Sequence, residues 1–171
     1  QALFGLSSNV RGSIHLHGKQ VAINCPADAI AHGIAYVPED RQHQGAHLSM
    51  PILHNVTLPI LKKVGFFLRG QRAQENTIAR HFCEQLELKA HHLMQHVSEL
   101  SGGNQQKVVL GKWLATDPQV IILDEPTKGI DIGSKAAVHR FISELVTRGL
   151  SVILVSSELP EVLGMADRVI V

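Results

Sequence analysis

An apolar run that closes on two acids constrains this chain more than anything else in it. Val120-Ile121-Ile122-Leu123 follows an Asp117-Pro118 breaker, carries no polar interruption and ends in Asp124 and Glu125. A short continuous apolar run bounded by turn residues reads as a strand buried on both faces, and such strands belong to parallel sheets covered by helices. The fold class is therefore α/β. Carboxylates at the carboxyl end of such a strand lie where open α/β sheets bind ligands, and as hard oxygen donors they suit a Mg²⁺ ion and a polarised water. Upstream, Ser101, Gly102 and Gly103 stand just before an amphipathic run with Val108, Val109, Trp113 and Leu114. They are predicted to form the first turn of a helix whose free N–H groups attract phosphate. Together, the residues from Leu100 to Asp131 suggest nucleoside triphosphate chemistry.

Length and charge narrow the possibilities. With 171 residues, 44% of them hydrophobic, the chain can bury one real core. A net charge of +1 with dispersed basic residues and few aromatics gives no nucleic-acid footprint. No apolar run approaches the roughly 18 residues of a membrane span, and no charged-then-apolar leader opens the chain, so membrane contact is expected only through a partner. Two cysteines, Cys25 and Cys83, are too few and unpatterned for a disulfide or zinc framework, which fits a reducing cytoplasm. Among the eleven histidines, His15 and His17 lie two apart on an apparent strand, and His92 and His96 four apart on an expected helix. Neither pair has a third ligand in a recognised pattern, so solvent-facing histidines are expected and metal binding is the minor reading.

Taken in order, the chain opens with alternating residues at Ser13 to Leu16 and Val21 to Ile23 around Gly18-Lys19, the pattern of a β-hairpin. Pro26 starts a short helix that Gly33 stops, and Ile34 to Val37 is a buried strand running into Pro38-Glu39-Asp40-Arg41. From Ser49 to Val97 the period becomes helical, through Ile52, Leu53, Val56 and Leu58 and then Ile78, Phe82 and Leu86, with a loop at residues 65–70. After Pro126, Ser134 is the expected cap of a helix whose stripe is Val138, Phe141, Ile142, Leu145 and Val146, closed by Gly149. Val152 to Val155 is a further strand, and Arg168 to Val171 is expected to begin another.

Two motifs carry a resemblance. Leu100-Ser101-Gly102-Gly103 with Asn104-Gln105-Gln106, and Val120 to Pro126 closing on Asp-Glu-Pro, resemble the signature sequence and Walker B strand of ABC-type ATPases. The variants LSGGNQQK and Val155-Ser156-Ser157-Glu158-Leu159-Pro160-Glu161 are narrower. They resemble the second ATP-binding half of the tandem ATPase subunits in bacterial simple-sugar importers of the ribose, galactose and autoinducer-2 type. The similarity runs over essentially the whole chain. It implies a P-loop NTPase-like fold with a mostly parallel sheet, an N-terminal hairpin and a helical insert. Residues 1–48 would be part of the ATPase core, 49–99 the helical subdomain that grips a transmembrane partner, and 100–171 the signature helix, Walker B strand, D-loop and switch strand.

The resemblance also assigns roles. Ser101, Gly102, Gly103 and Gln105 would contact nucleotide, and Asp131, the acid of the Thr127 to Asp131 D-loop, would communicate between halves. Asp124 would position Mg²⁺ through water, and Glu125 would polarise the attacking water. Glu39 stands where the family carries a glutamine that touches Mg²⁺ and water; a carboxylate can coordinate the ion but adds negative charge near a triphosphate. Ser157 stands in place of the switch histidine, where it can donate one hydrogen bond but carries no charge, and it would also cap the helix near Leu159. The implied cofactors are ATP and Mg²⁺. The implied partners are the other ATPase half, transmembrane permease subunits and, indirectly, a periplasmic sugar-binding protein, at the cytoplasmic face of the bacterial inner membrane. A soluble ABC ATPase of DNA repair or translation and a non-catalytic interaction module are the competing classes; near-neutral charge and the lack of a coiled-coil insert speak against the first.

No G-x-x-x-x-G-K-S/T occurs in residues 1–171: Gly18-Lys19 has Ser13 upstream and Gln20 after it, and Gly111-Lys112 has Gln106 and Trp113. By resemblance the phosphate loop would lie just before Ala2, and one core strand would be missing between those at Val152 and Arg168. An open slot with apolar surface is then expected there. These residues alone are expected neither to bind ATP tightly nor to hydrolyse it.

Overall fold

Three short parallel strands carry the architecture in the computed structural model, which describes residues 1–7, 10–64 and 71–170. The strands are β3 (Ile34–Val37), β4 (Val120–Asp124) and β5 (Ser151–Val155), after a hairpin of β1 (Ile14–Leu16) and β2 (Lys19–Val21). β4 is central, with Ile34 opposite Val120 on one side and Asp124 opposite Val155 on the other. The apolar run is buried as its sequence requires: Ile121 and Leu123 are fully inaccessible and Ile122 nearly so. Alternate residues feed two cores. Ala35, Val37, Ile121 and Leu123 join the larger one, while Ile34, Tyr36 and Ile122 pack with Phe4 and Ala29 in the smaller.

The helices are α1 (Pro26–Ala31), α2 (Ile52–Thr57), α3 (Leu61–Val64), α4 (Gln71–Gln85), α5 (Gly102–Leu114), α6 (Ile132–Thr147) and α7 (Leu159–Met165). α5 is the main support of the sheet. Its Val108, Val109, Leu110 and Leu114 are buried against Val37 and Leu123 on one side and against Leu53 and Val56 of α2 on another. Gly111 explains how the end of α4 comes so close to α5: a Cβ there would lie 3.2 Å from Leu86 Cδ1 and 3.4 Å from Phe82 Cβ. Asn55, fully buried on α2, gathers the approach to that helix. Its side-chain amide donates to the carbonyls of His47, Met50 and Pro51 and its Oδ1 accepts from His47 N–H at 2.8 Å.

Several expectations are met and several corrected. The hairpin turns on His17 and Gly18, both at positive φ (51° and 75°), so His17 belongs to the turn and only His15 to a strand. The pair His92 and His96 is not helical: His96 bridges Pro51, and the segment is held by loop hydrogen bonds such as Leu53 N–H to Leu93 O. The cap of α6 is Asp131, with Ser134 in its first turn as the donor, because a carboxylate at the N-cap reaches that N–H directly. Val146 falls off the buried stripe of α6 and is 46% exposed. Arg168 to Ile170 form no strand, since no described strand pairs with β5 on its far side; Ile170 is solvent-facing, as are Ile153 and Val155. The expected loop at 65–70 lies outside the described residues.

Candidate functional site

The carboxyl ends of β3 and β4 carry the predicted acids, and the loop after β5 carries Ser157. Asp124 ends β4, and its Oδ2 accepts a 2.8 Å hydrogen bond from the hydroxyl of Tyr36 on β3. Burial, then the neighbouring Asp124, push the Tyr36 phenol up to about 12, so it stays a donor at physiological pH. Glu125 takes the left-handed conformation, φ 48°, and is fixed twice to the strand beside it. Its N–H donates to Val155 O at 2.8 Å, and its Oε1 accepts from Ser157 N–H at 2.7 Å. Ser157 therefore meets Glu125 through its backbone N–H. It does not cap α7, whose N-cap is Glu158; the nearby hydroxyl that accepts a backbone N–H is that of Ser156, from Glu158.

Glu39, in the loop after β3, is paired with Lys128 Nζ at 2.5 Å. Two residues on, Arg41 reaches the same stretch after β4, donating to Lys128 O at 2.9 Å and Gly129 O at 3.3 Å. Arg41 opens a wide turn, Arg41–Gly45, whose first N–H groups are capped by Asp40. α5 braces this turn: Lys112 Nζ donates to Gly45 O at 2.9 Å, and a Cβ on Gly45 would lie 3.0 Å from Val109 Cγ2. Burial lowers the Lys112 pKa, since the ammonium is held in the core with a backbone carbonyl as its partner.

The glycine-rich helix start meets the same loops. Ser101 is the N-cap of α5 without a side-chain bond to the helix backbone; its Oγ accepts instead from the side chain of Asn104, Nδ2 at 3.0 Å. A helix start left in that state offers N–H groups to an anion. A side chain would crowd a neighbour at both glycines, the movable end of Arg41 at Gly102 and the fixed Ser134 at Gly103. A Cβ on Gly102 would stand 2.7 Å from Arg41 Nη2, and one on Gly103 would stand 2.5 Å from Ser134 Oγ and 2.8 Å from Ser134 Cβ. Ser134 cannot yield easily, because its N–H and Oγ both donate to Asp131, at 3.0 and 2.7 Å; those bonds hold the Asp131 carboxyl below the usual range. Gly103→Ala is accordingly expected to cost about 1–2 kcal/mol despite the better helix propensity of alanine, measured as a lowered urea midpoint.

The structure thus brings Ser101, Gly102, Gly103 and Asp131 to one helix-terminal cluster, and Glu39, Asp124, Glu125 and Ser157 to the strand ends. Gln105 joins neither. It is buried, its Nε2 donating to Val97 O and Leu100 O, and it shapes the approach to the helix start. Among the described residues no group of three or more His, Cys, Asp or Glu side chains could hold a metal ion. Asp124 and Glu39 are the hard oxygen donors that Mg²⁺ takes, and they fit it only with phosphate and water oxygens completing the shell. Sequence reasoning missed Tyr36, Arg41 and Lys128, whose partners lie 87 to 89 residues away.

Strand-end acids, an anion-ready glycine helix start and a parallel sheet define a nucleotide-binding cassette, and the chain belongs to the ABC transporter family, whose model matches residues 1–128. A ribose import ATP-binding protein of Jannaschia sp. is 60% identical over 173 residues, covering 100% of this chain and 33% of the relative. A xylose import ATP-binding protein of Geobacillus kaustophilus is 48% identical, covering 99% of this chain and 34% of the relative. The chain thus spans about a third of the length of these curated relatives. The fold is that of solved cassettes: the ADP conformation of an ATP-binding cassette of an ABC transporter superposes with a TM-score of 0.75 at 23% identity, covering 96% of this chain and 66% of that one.

Proposed function

We propose that these residues form part of the second ATP-binding half of a sugar importer's ATPase subunit, and that their chief role is to present Ser101, Gly102 and Gly103 to a nucleotide held by the opposite half. The observation that carries this is an asymmetry. The helix start is free of a side-chain cap, whereas each acid at the strand ends already has a partner: Tyr36 on Asp124, Ser157 N–H on Glu125, Lys128 on Glu39. Bound MgATP would supply the phosphoryl group and the metal charge. Toward it, Asp124 would orient a metal-bound water, with Tyr36 fixing its carboxylate. Glu125 would hold water at the end of β4, and Asp131 would keep α6 against the signature turn. Residues 49–99 would serve as the helical subdomain that meets a permease at the cytoplasmic face of the inner membrane. The relatives named for ribose and xylose import support sugars as the cargo.

The complete subunit is expected to co-purify with a polytopic membrane protein, and the ATPase of that complex to rise when a sugar-loaded periplasmic binding protein is added. A subunit that purifies with nucleic acid or ribosomes and no membrane protein would overturn the assignment.

A further inference from the structure

The sequence leaves a puzzle that the fold bears on. A carboxylate at position 39 brings negative charge to a site meant for a triphosphate, yet the loop after β4 places a lysine directly on it, Nζ to Oε1 2.5 Å. The two side chains are 62% and 50% exposed, and an ion pair so open to water adds little to folding stability. A structural role is therefore a weak reason for the contact. It is also not isolated. Arg41 donates to the carbonyls of Lys128 and Gly129, and its guanidinium occupies the space a side chain on Gly102 would need. Two bridges thus span the same two loops, one through side chains and one through the lysine's own backbone, with the signature glycine packed behind the second. Gly129, at φ 67°, permits the turn that exposes both carbonyls to Arg41.

We propose that Lys128 is a positioning residue whose task is to neutralise Glu39, so that the pair stands in for an uncharged side chain and the loop after β4 is clasped to the loop after β3. This rests on the nucleotide-site reading above. The Lys128 ammonium lies directly against the Glu39 carboxylate and supplies the opposite charge. Without it, Glu39 carries a bare charge toward the phosphates. Removing Glu39 as well removes the reason for the lysine.

The test is a double-mutant cycle in the complete subunit with two readouts. Lys128→Met is expected to raise the Kd for MgATP at this half's own site roughly fivefold, and Lys128→Arg to restore it. In the Glu39→Gln background the same lysine substitution should raise that Kd less than about twofold. The rise should shrink at high ionic strength, where exposed charges are screened. In the absence of nucleotide, amide hydrogen exchange over Thr127 to Asp131 should quicken in Lys128→Met and in Glu39→Ala alike, because neither variant can form the side-chain bond of the clasp. Equal Kd penalties in the two backgrounds would overturn the charge-neutralising role, and unchanged exchange would overturn the clasp. A subunit that neither binds nor hydrolyses MgATP in the unmutated state would overturn the nucleotide reading and the neutralising role with it; the exchange measurement would still decide the clasp.

Discussion

Ser101→Arg in the complete subunit is expected to lower ATP turnover by at least about a hundredfold, the range lost when a preorganised phosphate-facing donor is removed. Glu125→Gln in the same subunit should lower turnover by no more than about threefold. The contrast follows from where the two side chains stand. Ser101 is exposed at the N-cap of α5, in an extended conformation (φ −61°, ψ 156°) that arginine adopts without strain, so the substitution changes what the helix start can approach and leaves its backbone alone. A long cationic side chain there covers the first-turn N–H groups of Gly102 and Gly103, which a nucleotide from an opposite half would need. Glu125 differs in kind. Its Oε1 already accepts from Ser157 N–H, its backbone is locked on Val155, and the position that would carry a cationic imidazole is a serine. A site so arranged has little turnover to lose. Measured steady-state rates decide it: if Glu125→Gln abolishes hydrolysis and Ser101→Arg leaves it intact, the division of labour between the two ends of Leu100 to Asp131 is reversed.

How much of this was legible in the sequence depended on the range of the forces involved. Periodicity and breakers located the hairpin, β3, β4, α5 and α6, because burial of one face leaves a local imprint within a few residues. The apolar run of β4 and the glycines of the signature were legible for the same reason. Cap assignment failed where two candidates lay three residues apart: Asp131 and Ser134 both carry capping oxygens, and only the geometry shows the acid accepting and the serine donating. The helix expected at His92 to His96 failed because spacing alone cannot report a bridge to Pro51. Lys128, Arg41 and Tyr36 left no local signal, since each acts on a group from a different strand end, joined only when β3 and β4 pair.

Glu161 supplies the largest expected stability effect, and it links that fold to the loop after β4. The SSELPE variant ends in this glutamate, which α7 buries with its side chain 2% exposed. Its Oε1 accepts from Thr127 Oγ1 at 2.9 Å and pairs with His139 Nε2 at 2.7 Å, so one carboxylate ties the Asp-Glu-Pro-Thr turn to α6 and α7. Burial opposes its ionisation, but the neighbouring Ser156 hydroxyl and the hydrogen bonds with His139 and Thr127 outweigh it and hold the carboxyl below its ordinary 4.5. Because the folded value is depressed, the stabilisation is complete above pH 4.5 and is lost as pH falls through the lowered folded value. Glu161→Ala removes the acceptor while Thr127 stays buried, and is expected to cost about 3 kcal/mol at pH 7 by urea unfolding of the chain. Glu161→Gln keeps one acceptor oxygen and should cost less, with its deficit against the unmutated chain narrowing as the buffer is taken well below pH 4.5. A deficit that stays constant over that range would mean that the carboxylate's charge plays no part, and that Thr127 and His139 need only a neutral acceptor to hold the turn in place.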